Sequence, residues 1–271
     1  MKYQQFIDKV KMNLSAYKLD KLKIEEKGIY IYKENIKEID HILPLRLIEE
    51  NLIGPYKKYP EMNHIKLHQY AHHLNSSQIM AINFFAPLNE KRDIFAKLIV
   101  DLLGIEFLQN DQIIQVEFEH IENAVEKTNF DLFVKFSSGF QIFFEIKYTE
   151  NGFNKRQSST HPKDRWDRVY QPLLQKSKYL SNASFDDMMW NHFQINRNIL
   201  YITKENFDYT YVVFVTCKEN ESTRKDIEQL PSMEHVKSIF WNELYAKLLP
   251  YLNNDLIIHY EEFYQKYLLF K

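Results

Sequence analysis

Apolar positions recur every three to four residues from Tyr3 to Tyr17, which predicts an N-terminal helix, and Gly28 to Tyr32 alternates as a short strand would. Helical spacing resumes after Asp40, with a break at Pro44, and Pro55 to Pro60 reads as a loop. One long helix is predicted from Ser76 to Leu103, with Asn75 or Ser76 as its cap and Gly104 as its end. The period then changes to two. Ile113 to Glu119, Phe130 to Phe136 and Phe140 to Tyr148 alternate, which predicts three successive antiparallel strands. A polar loop over 149–163 follows, then helical spacing over Arg165 to Leu180 and Asp187 to Ile202. Tyr209 to Cys217 is β-branched and aromatic enough for a buried strand, and Val236 to Trp241 for another, before C-terminal helices. The order helix, three antiparallel strands, helix, strand predicts an α/β fold with a mixed central sheet flanked by helices and a helical N-terminal extension.

The segment at 129–150, NFDLFVKFSSGFQIFFEIKYTE, carries the candidate chemistry. Its turn, Ser137-Ser138-Gly139, suits a three-residue hairpin loop in which Gly takes the left-handed position. If Phe136 pairs with Phe140, Asp131 falls opposite Glu145, with their Cβ atoms about 5 Å apart. Parity then groups Phe130, Leu132, Val134 and Phe136 with Phe144, Ile146 and Tyr148 on a core face. The other face presents Asp131, Lys135, Gln141, Glu145 and Lys147. Two opposed carboxylates repel, and a hard divalent ion such as Mg²⁺, which takes oxygen ligands, would compensate them. The Ile146 carbonyl is a candidate third ligand. Lys147 can orient or help deprotonate an attacking water and stabilise charge on phosphoryl oxygens, and the implied reaction is phosphodiester hydrolysis.

Composition narrows the setting. The chain has 271 residues, 45% of them apolar, enough for one domain with one good-sized core. Only five Gly and eight Pro, with no repeat or low-complexity tract, leave few boundaries inside it. A net charge of −2 announces no nucleic-acid partner in bulk, so such a partner must be met locally. Over 155–178, seven bases against two acids leave +5: Lys155, Arg156, Lys163, Arg165, Arg168, Lys176 and Lys178 form a track that can neutralise phosphates, within which Trp166 and Tyr170 are placed to stack on bases. A lone cysteine, Cys217, and a charged N-terminus in place of an apolar leader point to a cytoplasmic protein. No stretch reaches the roughly 18 apolar residues of a membrane span, since even the segment from Ile82 to Gly104 is interrupted by charges.

Asp131 followed by Glu145-Ile146-Lys147 across a hairpin resembles the active-site signature of the PD-(D/E)xK nuclease superfamily. Within it the chain resembles a bacterial restriction-endonuclease-like group, through HHLNSSQ (72–78), NFDL (129–132) and FFEIKYTENGF (143–153). Asn129-Phe130-Asp131 lacks the Pro that names the motif. The resemblance implies a restriction-endonuclease-like core over 76–217, with 1–60 as the extension and 218–271 as a C-terminal strand and helices. It implies that Asp131 and Glu145 bind Mg²⁺, with Mn²⁺ as a substitute, that Lys147 assists the nucleophile, and that an earlier acid, Glu119 or Glu117, completes the site. Some relatives carry a Gln on the helix after the third strand, which Gln171 or Gln175 matches in spacing. The implied activity is DNA cleavage, in restriction or defence, and cutting both strands would favour a homodimer.

Blander readings stand beside these. Glu-x-Lys alone is weak, and a charged strand face is commonly just solvated. His64, His68 and His72, spaced by four, could line a metal-binding helix face, although surface or packing roles are commoner. Ser76, Ser77 and Gln78 are expected to cap the long helix, the alternative being that they belong to the family's site, and Gln194, Arg197 and Asn198 to form a helix's polar face rather than contact phosphate. A catalytically silent nucleic-acid-binding module on the same scaffold, or a nuclease acting on RNA, are the alternatives to a DNA endonuclease.

Overall fold

The alternating segments pair as their periodicity requires in the computed structural model of the protein, which describes residues 2–32, 35–123, 128–153, 162–189, 193–200 and 209–269. Helix α1 (Tyr3–Asp20) leads to a two-stranded antiparallel sheet of β1 (Gly28–Tyr32) and β2 (Asn35–Ile39). Helices α2 (Ser77–Glu90) and α3 (Arg92–Leu103) precede the central strands β3 (Ile113–Asn123), β4 (Thr128–Phe136) and β5 (Gln141–Ile146). After short helical turns come α4 (Phe193–Leu200), β6 (Thr210–Thr216), α5 (Glu221–Glu228), β7 (Val236–Phe240), α6 (Trp241–Leu248) and α7 (Asn254–Tyr267). The five strands run β3-β4-β5-β6-β7, antiparallel through β5 and parallel from β5 to β7, so the sheet is mixed.

Both faces of the sheet are covered. Leu132, Val134, Phe136, Phe144, Ile146, Val213 and Val215 pack in the larger core with residues of α1, α2, α3, α6 and α7. Phe133, Phe143, Val212 and Phe214 pack with Ile195 and Ile199 of α4 and Ile227 of α5 on the other side. Among the described residues no helix is long and apolar enough to cross a membrane.

Several elements differ from their sequence reading. The single helix expected over Ser76 to Leu103 is two, broken at Lys91 (φ −118°, ψ 63°). Pro87, inside the first of them, has no N–H for the Asn83 carbonyl, which accepts from His259 Nε2 instead at 2.7 Å. Ser76 caps α2 as expected, its hydroxyl accepting from the Ile79 N–H, and Gly104 ends α3 in the left-handed region (φ +69°). The loop read at Pro55 to Pro60 contains a 3-10 turn (Gly54–Lys58) and a helical turn (Tyr59–Met62). The helix expected over Arg165 to Leu180 runs instead over 162–174, widened at Trp166–Tyr170, and gives way to turns before Leu180.

A buried polar network ties the N-terminal third to α2 and α7. Asn51, fully buried, donates to the Ala71 and His73 carbonyls, while its own carbonyl accepts from Asn83 and from Lys266. Lys266 is fully buried, donates also to Asn51 Oδ1 (2.8 Å), and lies over the rings of Tyr17 and Tyr267. Loss of water lowers its pKa to about 7, against the opposing pull of Glu262. A lysine with a depressed folded pKa leaves the unfolded chain binding the extra proton between about pH 7 and 10.5, so stability rises with pH across that window. Chemical denaturation is expected to show a gain of about 2 kcal/mol from pH 7 to 9, before buried thiol and phenol groups oppose it, and a much flatter profile for Lys266→Met.

Candidate active site

The β4–β5 hairpin has the register that its turn requires. Leu132 pairs with Phe144, Val134 with Ile142 and Lys135 with Gln141, and Gly139 (φ +91°) closes the turn. Parity holds through Leu132 and fails at Phe130, whose ring lies against Phe143 (4.5 Å) in the second cluster rather than the first. The neighbouring ladder explains the shift. Between the pairs Phe118↔Leu132 and His120↔Phe130 sits Glu119, in the left-handed region (φ +55°), a conformation that an ordinary side chain adopts only where its surroundings hold it.

Asp131, Glu145 and Lys147 are brought together. The Ile146 N–H donates to Asp131 Oδ2 (2.5 Å), and Lys147 Nζ donates to Glu145 Oε1 (2.6 Å). The backbone of Lys147 is fixed from both ends, its N–H donating to the Val215 carbonyl of β6 (2.8 Å) and its carbonyl accepting from the Trp241 indole (3.1 Å). N–H and C=O of one extended residue point to the same side, so the Ile146 carbonyl faces the Asp131 side of β5.

The face expected to be open is not. Glu145 is 1% exposed, because α4 crosses over it and the helix face that carries Ile195 and Ile199 packs on Phe143 and Phe214. The same helix supplies Gln194 and Asn198, one turn apart, whose amides donate to Oε1 and Oε2 of Glu145, the second at 2.8 Å. With Lys147 this gives the carboxylate three donors, which is what a charge removed from water requires. Burial, and next the Glu145 carboxylate, pushes the Asp131 carboxyl well above the usual carboxylate range, while Lys147 and the Ile146 amide pull it down. Burial disfavours the Lys147 ammonium, but Glu145 and Asp131 outweigh it and hold the pKa above that of ordinary lysine. Both acids thus favour the ammonium form of Lys147.

Glu119 reaches a different set of partners. Gln78 Nε2 donates to its Oε1 (2.9 Å), Asn129 donates to Oε2, and His68 Nε2 lies 3.3 Å from Oε2. Its charge acts on Asp131, raising that carboxyl further. The bond to Glu119 also raises the His68 pKa, against burial. Gln78 is buried and fixed by the His68 N–H and the Lys66 carbonyl, so it positions the acid rather than merely lining a helix. Glu117 pairs with Gln115 and His120 instead.

The donors available are those of a hard-cation site in kind. The three acids are joined by two buried amide oxygens with no partner among the described residues, Asn129 Oδ1 and Asn198 Oδ1, an all-oxygen set that suits Mg²⁺ or Mn²⁺. As they stand the carboxylates are turned to protein donors, and among the described residues no three His, Cys, Asp or Glu side chains converge as ligands.

The other candidates read from the sequence lie elsewhere or outside the described residues. Gln171 and Gln175 are exposed, and among the described residues neither is bonded to the acids. Lys163 and Arg168 are exposed; Lys155 and Arg156, and the side chain of Arg165, lie outside the described residues. Tyr170 cannot stack on a base, because it is fully buried in a small cluster with Leu174, Met188 and Phe193, and Trp166 packs against Phe185 (5.4 Å). The three histidines share no helix: the segment between Met62 and Ser77 is turns, His64 is exposed and His72 buried. Gln78, Asn129, Gln194 and Asn198 hold the acids, a role that the sequence reading raises only for Gln78, as the alternative to a cap. The first two lie inside the segments that carry the resemblance, and the last two have the four-residue spacing of one helix face.

Gln194→Ala and Asn198→Ala are each expected to cost about 1.5–3 kcal/mol in chemical denaturation, as for hydrogen bonds to a charged group, and less in a Glu145→Gln background. Equal costs in both backgrounds would mean that the amides do not act on the carboxylate.

Comparison with curated proteins and with solved structures gave no match. Among family models, the one described as "Restriction Endonuclease associating with ARP" matches residues 11–268, nearly the whole chain and including every residue of the site. The chain belongs to this restriction-endonuclease family, REase-ARP.

Proposed function

We propose that the protein is a Mg²⁺-dependent endonuclease of the PD-(D/E)xK type that hydrolyses phosphodiester bonds in DNA. The observation that carries this reading is the junction of Asp131, Glu145 and Lys147 on one hairpin, in a chain of a restriction-endonuclease family. The order of α2, α3, three antiparallel strands, α4 and a parallel strand supports a nuclease core. Asp131, Glu145 and the Ile146 carbonyl would hold the metal, with Glu119 as an auxiliary acid. When bound, the ion would neutralise phosphoryl charge and lower the pKa of a coordinated water.

The chain's own groups do the rest. Lys147, held as an ammonium, donates to a phosphoryl oxygen and stabilises the charge that grows there. Gln194 and Asn198 donate to both oxygens of Glu145 and so orient it under α4. Exposed Lys163 and Arg168 lie in the segment after the hairpin, where cations meet a phosphate backbone. A silent binding module draws on one fact, the satisfaction of Glu145 by protein donors, and the same experiment separates the two.

Supercoiled plasmid incubated with the purified protein and Mg²⁺ or Mn²⁺ is expected to be nicked or linearised, and not in EDTA. Asp131→Ala should abolish cleavage and Lys147→Ala reduce it by about 10²–10³-fold, the loss seen when one charge-stabilising group is removed. Binding of DNA without cleavage would favour the silent module, and cleavage of RNA alone would move the substrate.

A further inference from the structure

A cleft of about 380 Å³ opens beside the site, in the size range of small-ligand pockets. One wall carries His68 and Gln78, the two residues that hold Glu119 from α2 and the segment before it. The opposite wall is Thr149 and Glu150, which directly follow the Tyr148 and Lys147 of the hairpin. The far wall is aromatic. Tyr70 lies 5.1 Å from the ring of His73, and Tyr30 lies 6.1 Å from Tyr70 and 5.6 Å from His73, all centroid to centroid. Tyr70 is 44% exposed. These rings are anchored on β1 and on the loop that leads to the cap of α2, so the cluster is tied to the scaffold that places Glu119.

Two polar atoms of this lining are buried without a partner among the described residues: His73 Nε2 and Asn75 Oδ1. Asn75 is fixed at its other end, its amide donating to Thr149 Oγ1 (2.8 Å), so its free oxygen is preset rather than mobile. Glu150, the acid of the lining, accepts from the Tyr148 N–H (2.6 Å). On the open surface of the cleft, the exposed ring of Tyr70 beside Ser77, Thr149 and Glu150 fits a flat ring bearing hydrogen-bond donors at its edge. Adjacent to a phosphodiesterase centre, that ligand is a nucleobase.

The base must also have left its stack. In a duplex both faces of each base are covered by neighbours, and a recess of this size admits one nucleoside and no helix. We infer that the cleft lined by Tyr70, His73 and Asn75 takes an unpaired nucleotide of the DNA, beside the phosphate to be cut. This rests on the nuclease reading above and names its substrate class.

The test compares a 40-base-pair duplex holding one unpaired 2-aminopurine with its fully matched counterpart, both with Mg²⁺ and the full chain. The expected result is cleavage of the first about tenfold faster, with 2-aminopurine fluorescence quenched on binding by ring stacking. Tyr70→Ala should lose the quenching and that tenfold preference while cutting the matched duplex as before, and Tyr70→Phe should keep both. Because Tyr70 is an exposed loop residue, equal melting temperatures for the three proteins check that the fold is intact. Equal cleavage of the two duplexes without quenching, or a Tyr70→Ala protein indistinguishable from the parent, overturns the inference and leaves the nuclease reading standing. No cleavage of either duplex, together with an uncut plasmid, overturns both.

Discussion

A carboxylate taken out of water has to be matched by donors in its immediate surroundings, and Glu145 is the place where this chain meets that demand. Its side chain lies between the central sheet and α4, and three groups from two elements converge on it: the Lys147 ammonium and the Gln194 and Asn198 amides. Leaving a buried carboxylate short of a donor is costly, so the two amide bonds lock α4 to β5. The apolar residues of the same helix face, Ile195 and Ile199, share the task, because they seal Phe143 and Phe214 while the amides reach past them. Charge and packing thus specify one seating of the helix. The repulsion felt by Asp131 is the residue of that arrangement, a second acid that the protein donors do not fully compensate.

The rest of the molecule holds the two strands and the first helix that this arrangement needs. Trp241, fully buried against Phe84 and Phe263, donates to the Lys147 carbonyl and so connects the C-terminal helices to the backbone of Lys147. Asn83 of α2 joins Asn51, Tyr267 and the Ile53 N–H, which fixes the N-terminal segment against the same helix that presents Gln78. That network requires a buried lysine, Lys266, whose place is tenable only because its neighbours accept its hydrogen bonds. The 3-10 and turn-rich segment before α2 therefore belongs to the site's support as much as the sheet does.

What is legible in the sequence follows from how far apart the partners are. Asp131, Glu145 and Lys147 lie within one hairpin, where a period of two and one glycine turn set every pairing, so chain order is enough. Gln194 and Asn198 reach Glu145 across 49 and 53 residues, and nothing local distinguishes them from a solvated helix face. Gln171 and Gln175 have an equally good spacing, but the helical segment that carries Gln171 leaves both exposed and away from the acids. The left-handed backbone of Glu119 is invisible for a different reason: a glutamate carries no sign of positive φ, and only the fit of Gln78, His68 and Asn129 around it holds it there. The apolar spacing runs on past Lys91 and conceals the break there, and Pro87 does not mark it, because a proline disturbs the turn before it rather than the one after.

If the proposed chemistry is right, the Asp131 and Glu145 oxygens are a metal site held closed by protein donors. The most direct measurement is a crystal structure with Mn²⁺ and its anomalous signal. The predicted result is an ion bound by Asp131 and Glu145, with at least one of the Gln194 and Asn198 bonds given up to it. No ion, or an ion bound elsewhere while Glu145 keeps all three donors, would contradict it.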